Sequence, residues 1–173
     1  MDTAQYKYLL ALDKYILVDQ ERILDLRLDL NTLGDIRWML SAPADEDQVF
    51  LINIKESKKK SYSISLHNQD NNTKLGLVRI DFNSRHRNPE TILDTVPKEF
   101  RPYAGLYLDD SAGHIHYHVE GYSSLAWAMP IDVDKFPVKK IGNLDDLAQT
   151  IKAFCEVVNL RTNLEFIYNL RLL

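Results

Sequence analysis

His114, His116 and His118 alternate with Ile115, Tyr117 and Val119 within the stretch from Gly113 to Pro130. In an extended strand, successive side chains point to opposite faces. A strand here is expected to carry three imidazoles on one face and three apolar groups on the core face. Arg85-His86-Arg87 adds a further imidazole between two guanidiniums. Imidazole takes and gives protons near neutral pH, and guanidinium binds phosphate oxygens bidentately. RNA carries its own nucleophile, the 2′-hydroxyl, so a base, an acid and a cation suffice to cleave it. His86 and His116 are the expected acid–base pair, and Arg87 the phosphate ligand. Arg79, Asp81, Arg85 and His114 complete the expected binding face, with Tyr122 and Trp127 as stacking surfaces for bases.

Metal binding is the lesser expectation, and no cofactor is expected. Same-face neighbours lie about 6.7 Å apart along a strand, so two adjacent rings reach one ion and three do not. A mononuclear site would take His114 and His116, or His116 and His118, with Asp81 and His86 as the available further ligands. Each residue also has a structural reading. Arg79 and Asp81 suit a sheet-surface ion pair, Trp127 and Tyr122 suit the core or a covered edge, and Asn88-Pro89 suits a turn. Only the combination points to a site.

The elements that must position these groups are legible in the hydrophobic periods. Leu9, Leu12 and Ile16 predict a helix over about Thr3–Val18, with Thr3 as N-cap. Alternation then predicts strands over Leu24–Leu30, Ile36–Leu40, Val49–Ile54, Tyr62–Leu66 and Leu75–Phe82. A polar turn is expected at Ala42–Gln48, a basic turn at Lys55–Lys60 and a loop at His67–Asn72. Asn83–Gly113, with Pro89, Pro97 and Pro102, reads as a long connection, of the kind that is often functional. The histidine strand and Leu125–Ile131 follow. Asn143 caps a second helix whose stripe is Leu147, Ile151, Phe154, Cys155 and Val158, and Leu164–Leu170 has no clear period. The predicted class is α+β. A mainly antiparallel sheet of about six or seven strands carries an N-terminal and a C-terminal helix on one face, in a single domain over 1–173.

Composition sets outer bounds. The formal net charge of −4 over 173 residues opposes broad wrapping of nucleic acid, while leaving room for a local basic patch. Cys155 stands alone, so no internal disulfide forms, and it reads as a small core residue. The first residues lack a secretory pattern and no stretch reaches membrane-spanning length, so a cytoplasmic setting without membrane contact is expected.

Arg79-x-Asp81, His86-Arg87-Asn88-Pro89, His114-Ile115-His116, Glu120-Gly121-Tyr122 and Trp127-Ala128-x-Pro130, in that order, resemble the signature of an uncharacterised family of phage, prophage and Gram-positive bacterial proteins. The resemblance covers about positions 75–131 and implies mobile-element ancestry without an assigned activity. His118 and the length of the connection after Pro89 depart from that pattern. The expected role is therefore an interaction protein that binds a host or defence-system component through the histidine face and the Arg-His-Arg loop. The alternative is a metal-independent, ribonuclease-like or nucleic-acid-binding protein that uses His116, His86 and Arg87. A bare sheet edge would also permit a homodimer.

Overall fold

The structure is a computed structural model that describes residues 1–56, 62–111 and 113–168. The chain opens with α1 (Thr3–Ala11), and Asp2, not Thr3, is its N-cap, accepting from the Gln5 amide. The helix stops at Ala11 because the chain turns into β1 (Tyr15–Val18), so the predicted helix was too long at its C-terminal end. β2 (Glu21–Arg22) and β3 (Asp25–Asp29) follow, then β4 (Ile36–Ala42), β5 (Asp45–Glu56), β6 (Ile64–Asp70) and β7 (Leu75–Asp81). β8 (His86–Arg87) and β9 (Tyr107–Leu108) lie inside the long connection. β10 (His114–Tyr117), β11 (Trp127–Pro130), α2 (Leu144–Val157) and β12 (Asn163–Ile167) complete the order.

The main sheet has eight strands in the order β11-β10-β7-β6-β5-β4-β1-β2. Every neighbouring pair in it is antiparallel. The expected six or seven strands fell short because β1 was read as helix and β2 has only two residues. The turn expected at Ala42–Gln48 is much tighter, since β4 and β5 pair up to Ala42 and Asp45. The loop expected at His67–Asn72 is mostly strand, because β6 runs to Asp70. β3 leaves the main sheet and pairs in parallel with β12, where the sequence showed no clear period. The basic turn expected at Lys55–Lys60 lies largely outside the described residues, as do Asn169 and Leu170 of the last segment.

The register explains how one sheet serves both core and site. Ile36, Ile54, Leu66, Ile80, Ile115 and Met129 fall opposite one another across six strands and form an apolar row. One position along, Asn53, His67, Arg79 and His116 make the adjacent row on the opposite face, and Ser65, Asp81 and His114 make a second polar row. A one-residue slip would exchange these faces, so the apolar row locks the polar ones in place.

Neither end of the sheet offers a long bare edge. At β11, the Asn88 side chain donates to the Ala128 carbonyl and accepts from the Ala128 amide, each at 2.8 Å. At the other end, β2 is short and charged, a common way to blunt an edge.

Lys14 ties the two helix ends together. Its buried ammonium donates to the carbonyls of Leu10, Leu12 and Val158 at 3.2, 2.8 and 3.1 Å. It also lies 4.5 Å from the Phe50 ring centroid. Burial pulls its pKa down to about 7, while the three acceptors match the three N–H bonds of the charged form. Lys14→Met keeps the volume and strands those carbonyls. It should destabilise the fold by about 1–3 kcal/mol, read as a lower urea midpoint. An unchanged midpoint would remove Lys14 from the list of supports.

Candidate functional site

The site begins with β7 and β10. Their register sets His114 opposite Asp81 and His116 opposite Arg79. Asp81 is 4% exposed, His114 1% and His116 0%. A buried carboxylate needs compensation. Arg79 Nε donates to Asp81 Oδ2 at 2.7 Å, and His116 Nε2 lies 3.1 Å from the same oxygen. Burial favours the neutral acid, but the hydrogen bonds from His116 and Ser65 and the Arg79 charge outweigh it. They hold the Asp81 carboxyl well below the usual carboxylate range.

His116 is oriented from both sides. Its Nδ1 lies 2.8 Å from the Leu125 carbonyl oxygen, which can only accept, so Nδ1 carries a proton. Nε2 then faces the centre, 2.9 Å from Arg79 Nη2. The loop that supplies this carbonyl is pinned to β7. Ser124 Oγ accepts from the Gly76 amide at 2.7 Å and donates to the Gly76 carbonyl at 3.2 Å. Leu125 itself adopts a φ of 59°, a conformation that costs free energy for a residue other than glycine. Gly76 is required at this crossing, because a Cβ there would come within 2.4 Å of Leu125 Cδ1 and 2.9 Å of His67 Nε2.

The connection after β7 covers this end of the sheet. The His86 ring lies 4.5 Å from His116 and 5.8 Å from His114, centroid to centroid. Its Nε2 lies 3.0 Å from the Ala126 carbonyl and donates to it. Burial and then the nearby His116 lower the His86 pKa. His114 is held differently. Both of its nitrogens are buried and neither has a hydrogen-bond partner among the described residues. Its Nε2 is 3.6 Å from Asp81 Oδ2, beyond a good hydrogen bond. Ligand atoms of Asp81, His114 and His116 all lie within 4.8 Å of one another, a grouping that could hold a metal ion.

The sequence-expected residues divide accordingly. Arg79, Asp81, His86, His114 and His116 come together. Arg87 does not reach His116, and its guanidinium pairs with Glu90 at 2.6 Å, while Arg79 is the guanidinium at the centre. Arg85 is exposed and 3.7 Å from Asp110. Trp127 is fully buried and packs edge-on against Tyr122. The Tyr122 hydroxyl donates to the Thr91 carbonyl and accepts from the Leu93 amide, holding the connection in place. The Trp127 ring therefore offers no open face to a base, while Tyr122 is half-buried.

His118 is the clearest correction. β10 ends at Tyr117, so the expected face of three imidazoles has two. His118 lies elsewhere, its Nε2 2.8 Å from the Met1 carbonyl and its ring 5.4 Å from Tyr6. It lines a cavity of about 620 Å³ with Tyr6, Phe100 and Tyr117. Two of its polar lining groups are engaged, Glu120 by Thr3 and Tyr117 by Asp134, while His118 Nδ1 is buried without a partner among the described residues.

The residue that sequence reasoning missed is His67. It sits opposite Arg79 on β6, in the same row as His116. The signal was there, because Ile64, Leu66 and Asn68 alternate with Ser65, His67 and Gln69, but the Asn- and Asp-rich end of the strand masked it.

Burial holds the His67 and His114 pKa values down at about 4, helped by Arg79 at His67 and by His116 at His114. An unfolded imidazole titrates near 6.5. Between those values the unfolded chain binds more protons, so stability rises with pH there and falls on acidification from about 6.5 to about 4. Urea midpoints measured across that range in chelator should show this fall. His67→Gln should flatten it by roughly one proton. A flat wild-type profile would mean that the folded imidazoles titrate normally.

No curated protein and no solved structure matches the chain. A family model does match, over residues 1–160. The chain, with its Arg-Asp-His-His centre between β7 and β10, belongs to DUF6978, a family of unknown function.

Proposed function

We propose that the chain is a small enzyme acting on phosphodiesters of the RNA type, with Arg79 and His86 as the groups that meet the substrate. The observation that carries this reading is the meeting of a guanidinium and a half-buried imidazole over a buried carboxylate–imidazole centre. The Arg79 side chain is 35% exposed, so it reaches both the interior and solvent. Lys55, Arg85 and Arg87 are exposed and follow Arg79 and His86 closely in the strand register or sequence. They give a chain of net negative charge a local basic rim, which suits an anionic substrate. The ion pairs of Arg85 and Arg87 are exposed and hold weakly against a phosphate.

His86 is the general base of this reading. Its lowered pKa keeps it neutral at pH 7, and donation from Nε2 to Ala126 leaves the lone pair on Nδ1. It takes the proton of the 2′-hydroxyl as that oxygen attacks phosphorus; the P–O5′ bond breaks, a 2′,3′-cyclic phosphate forms, and the departing 5′-oxygen takes its proton from water. Arg79 neutralises the charge gathering on the phosphate oxygens. His116, expected from sequence as the second acid–base group, has both nitrogens engaged and is buried, so it serves as a fixed member of the centre.

The interaction role keeps one favourable observation, the exposed Arg85 and Arg87 on the two-residue strand β8. A host or defence-system protein would meet these residues with Arg79 and His86, since His114 and His116 are covered. The phage or prophage origin belongs to this second reading.

The purified chain, supplied with Mg²⁺, Mn²⁺ or Zn²⁺, should cut an RNA oligonucleotide and spare the DNA of the same sequence. His86→Ala should lower the rate by about 10²- to 10⁴-fold. Intact RNA under all three ions, or full-rate cleavage by the variant, would sink the enzymatic reading. Saturable binding of a partner that depends on Arg85 and Arg87 would then favour the second.

A further inference from the structure

We propose that Asp81, His114 and His116 bind one divalent transition-metal ion of the zinc class. The inference deepens the phosphodiester reading by naming the site's cofactor, and it rests on that reading only for the ion's task.

The donor atoms are already close to the required arrangement. Asp81 Oδ2 is 3.1 Å from His116 Nε2 and 3.6 Å from His114 Nε2. Two ligands on a tetrahedral ion with bonds of about 2.0–2.1 Å stand about 3.3 Å apart. Small shifts of the imidazoles therefore suffice. The set of two imidazoles and one carboxylate suits zinc and its neighbours, and does not suit magnesium or calcium, which take oxygen ligands.

His114 separates this proposal from a purely structural network. Arg79, Asp81 and His116 satisfy one another, and an ion pair would explain all three. His114 gains nothing from that network. It is 1% exposed, with two buried nitrogens unpartnered among the described residues, one of them aimed at the Asp81 carboxylate. A buried imidazole with both nitrogens unsatisfied is costly. A cation between His114, His116 and Asp81 gives His114 Nε2 a partner and removes that nitrogen's share of the cost.

The bonds around His116 and Asp81 match those around a metal ligand. A ligating histidine donates its other ring N–H to a carbonyl or carboxylate, which fixes the tautomer. His116 does so to the strained Leu125. Ser65 bonds to the Asp81 carboxylate. The fourth position lies on the Arg79 side, where Nη2 sits 2.9 Å from His116 Nε2. Entry of the ion displaces that nitrogen, and the part-exposed guanidinium turns outward toward the rim. Three protein ligands and one open position make a catalytic arrangement, in which the ion polarises a phosphate oxygen beside Arg79. His86 packs against both ligating imidazoles with its Nε2 committed to Ala126, and stays outside the set.

The test is titration of the chelator-stripped full chain with Co²⁺, followed by visible absorption and competition with Zn²⁺. The expected result is a saturable band at one equivalent that Zn²⁺ abolishes, with a rise in Tm on Zn²⁺ binding. His114→Ala breaks no hydrogen bond, so it should fold, and it should weaken binding by at least about 100-fold. His86→Ala should keep the band while losing RNA cleavage. No band and no Tm rise in the folded wild type, or unchanged affinity in folded His114→Ala, would overturn the metal site. RNA cleavage that persists in chelator would then leave the phosphodiester reading standing alone. A band with intact RNA would keep the metal site and remove that reading.

Discussion

An ionised carboxylate in a protein interior has to be answered by its neighbours, and the answer to Asp81 organises this end of the sheet. At 4% exposure its charge has almost no water to rely on. Arg79 lies two residues away on the same strand, so its side chain returns to the same face. His116 comes from the neighbouring strand, and Ser65 from the strand on the other side. Three strands are thus tied by one oxygen-rich group, and removing any partner would leave the charge exposed to a low dielectric.

The rest of the site is built by covering an edge. β11 is the last strand of the sheet, and its outward backbone groups need partners. Asn88 and His86 supply them at Ala128 and Ala126, and in doing so the connection lays an imidazole against His114 and His116. Edge protection and site assembly are the same contact. The strain at Leu125 fits this picture, since its left-handed backbone is held by the Ser124–Gly76 bonds and aims a carbonyl at His116.

Local pattern made a good part of this visible. The alternation around Ile80 and Ile115 places Arg79, Asp81, His114 and His116 on faces opposite the core, and all four are where that alternation puts them. The failures have specific causes. His118 continues the alternation in sequence, but the strand stops at Tyr117 and a period carries no information past the strand's end. Arg87 adjoins His86 in sequence, which makes it the expected phosphate ligand. It pairs instead with Glu90, three residues on. His67 was assigned to a loop because Asn and Asp are turn formers, and pairing with β5 and β7 overrode that preference.

What the sequence determined by itself was the two-faced character of each strand, the α+β class and the identity of the chemical groups, because period and side-chain type are local properties. Tertiary structure alone decided which guanidinium faces the imidazoles, that His67 joins their row, that the site is buried, and that one histidine has no partner for either nitrogen among the described residues. Those facts follow from cross-strand register and from where a long connection docks. Both are settled by contacts between residues far apart in the chain, and no window along it records them.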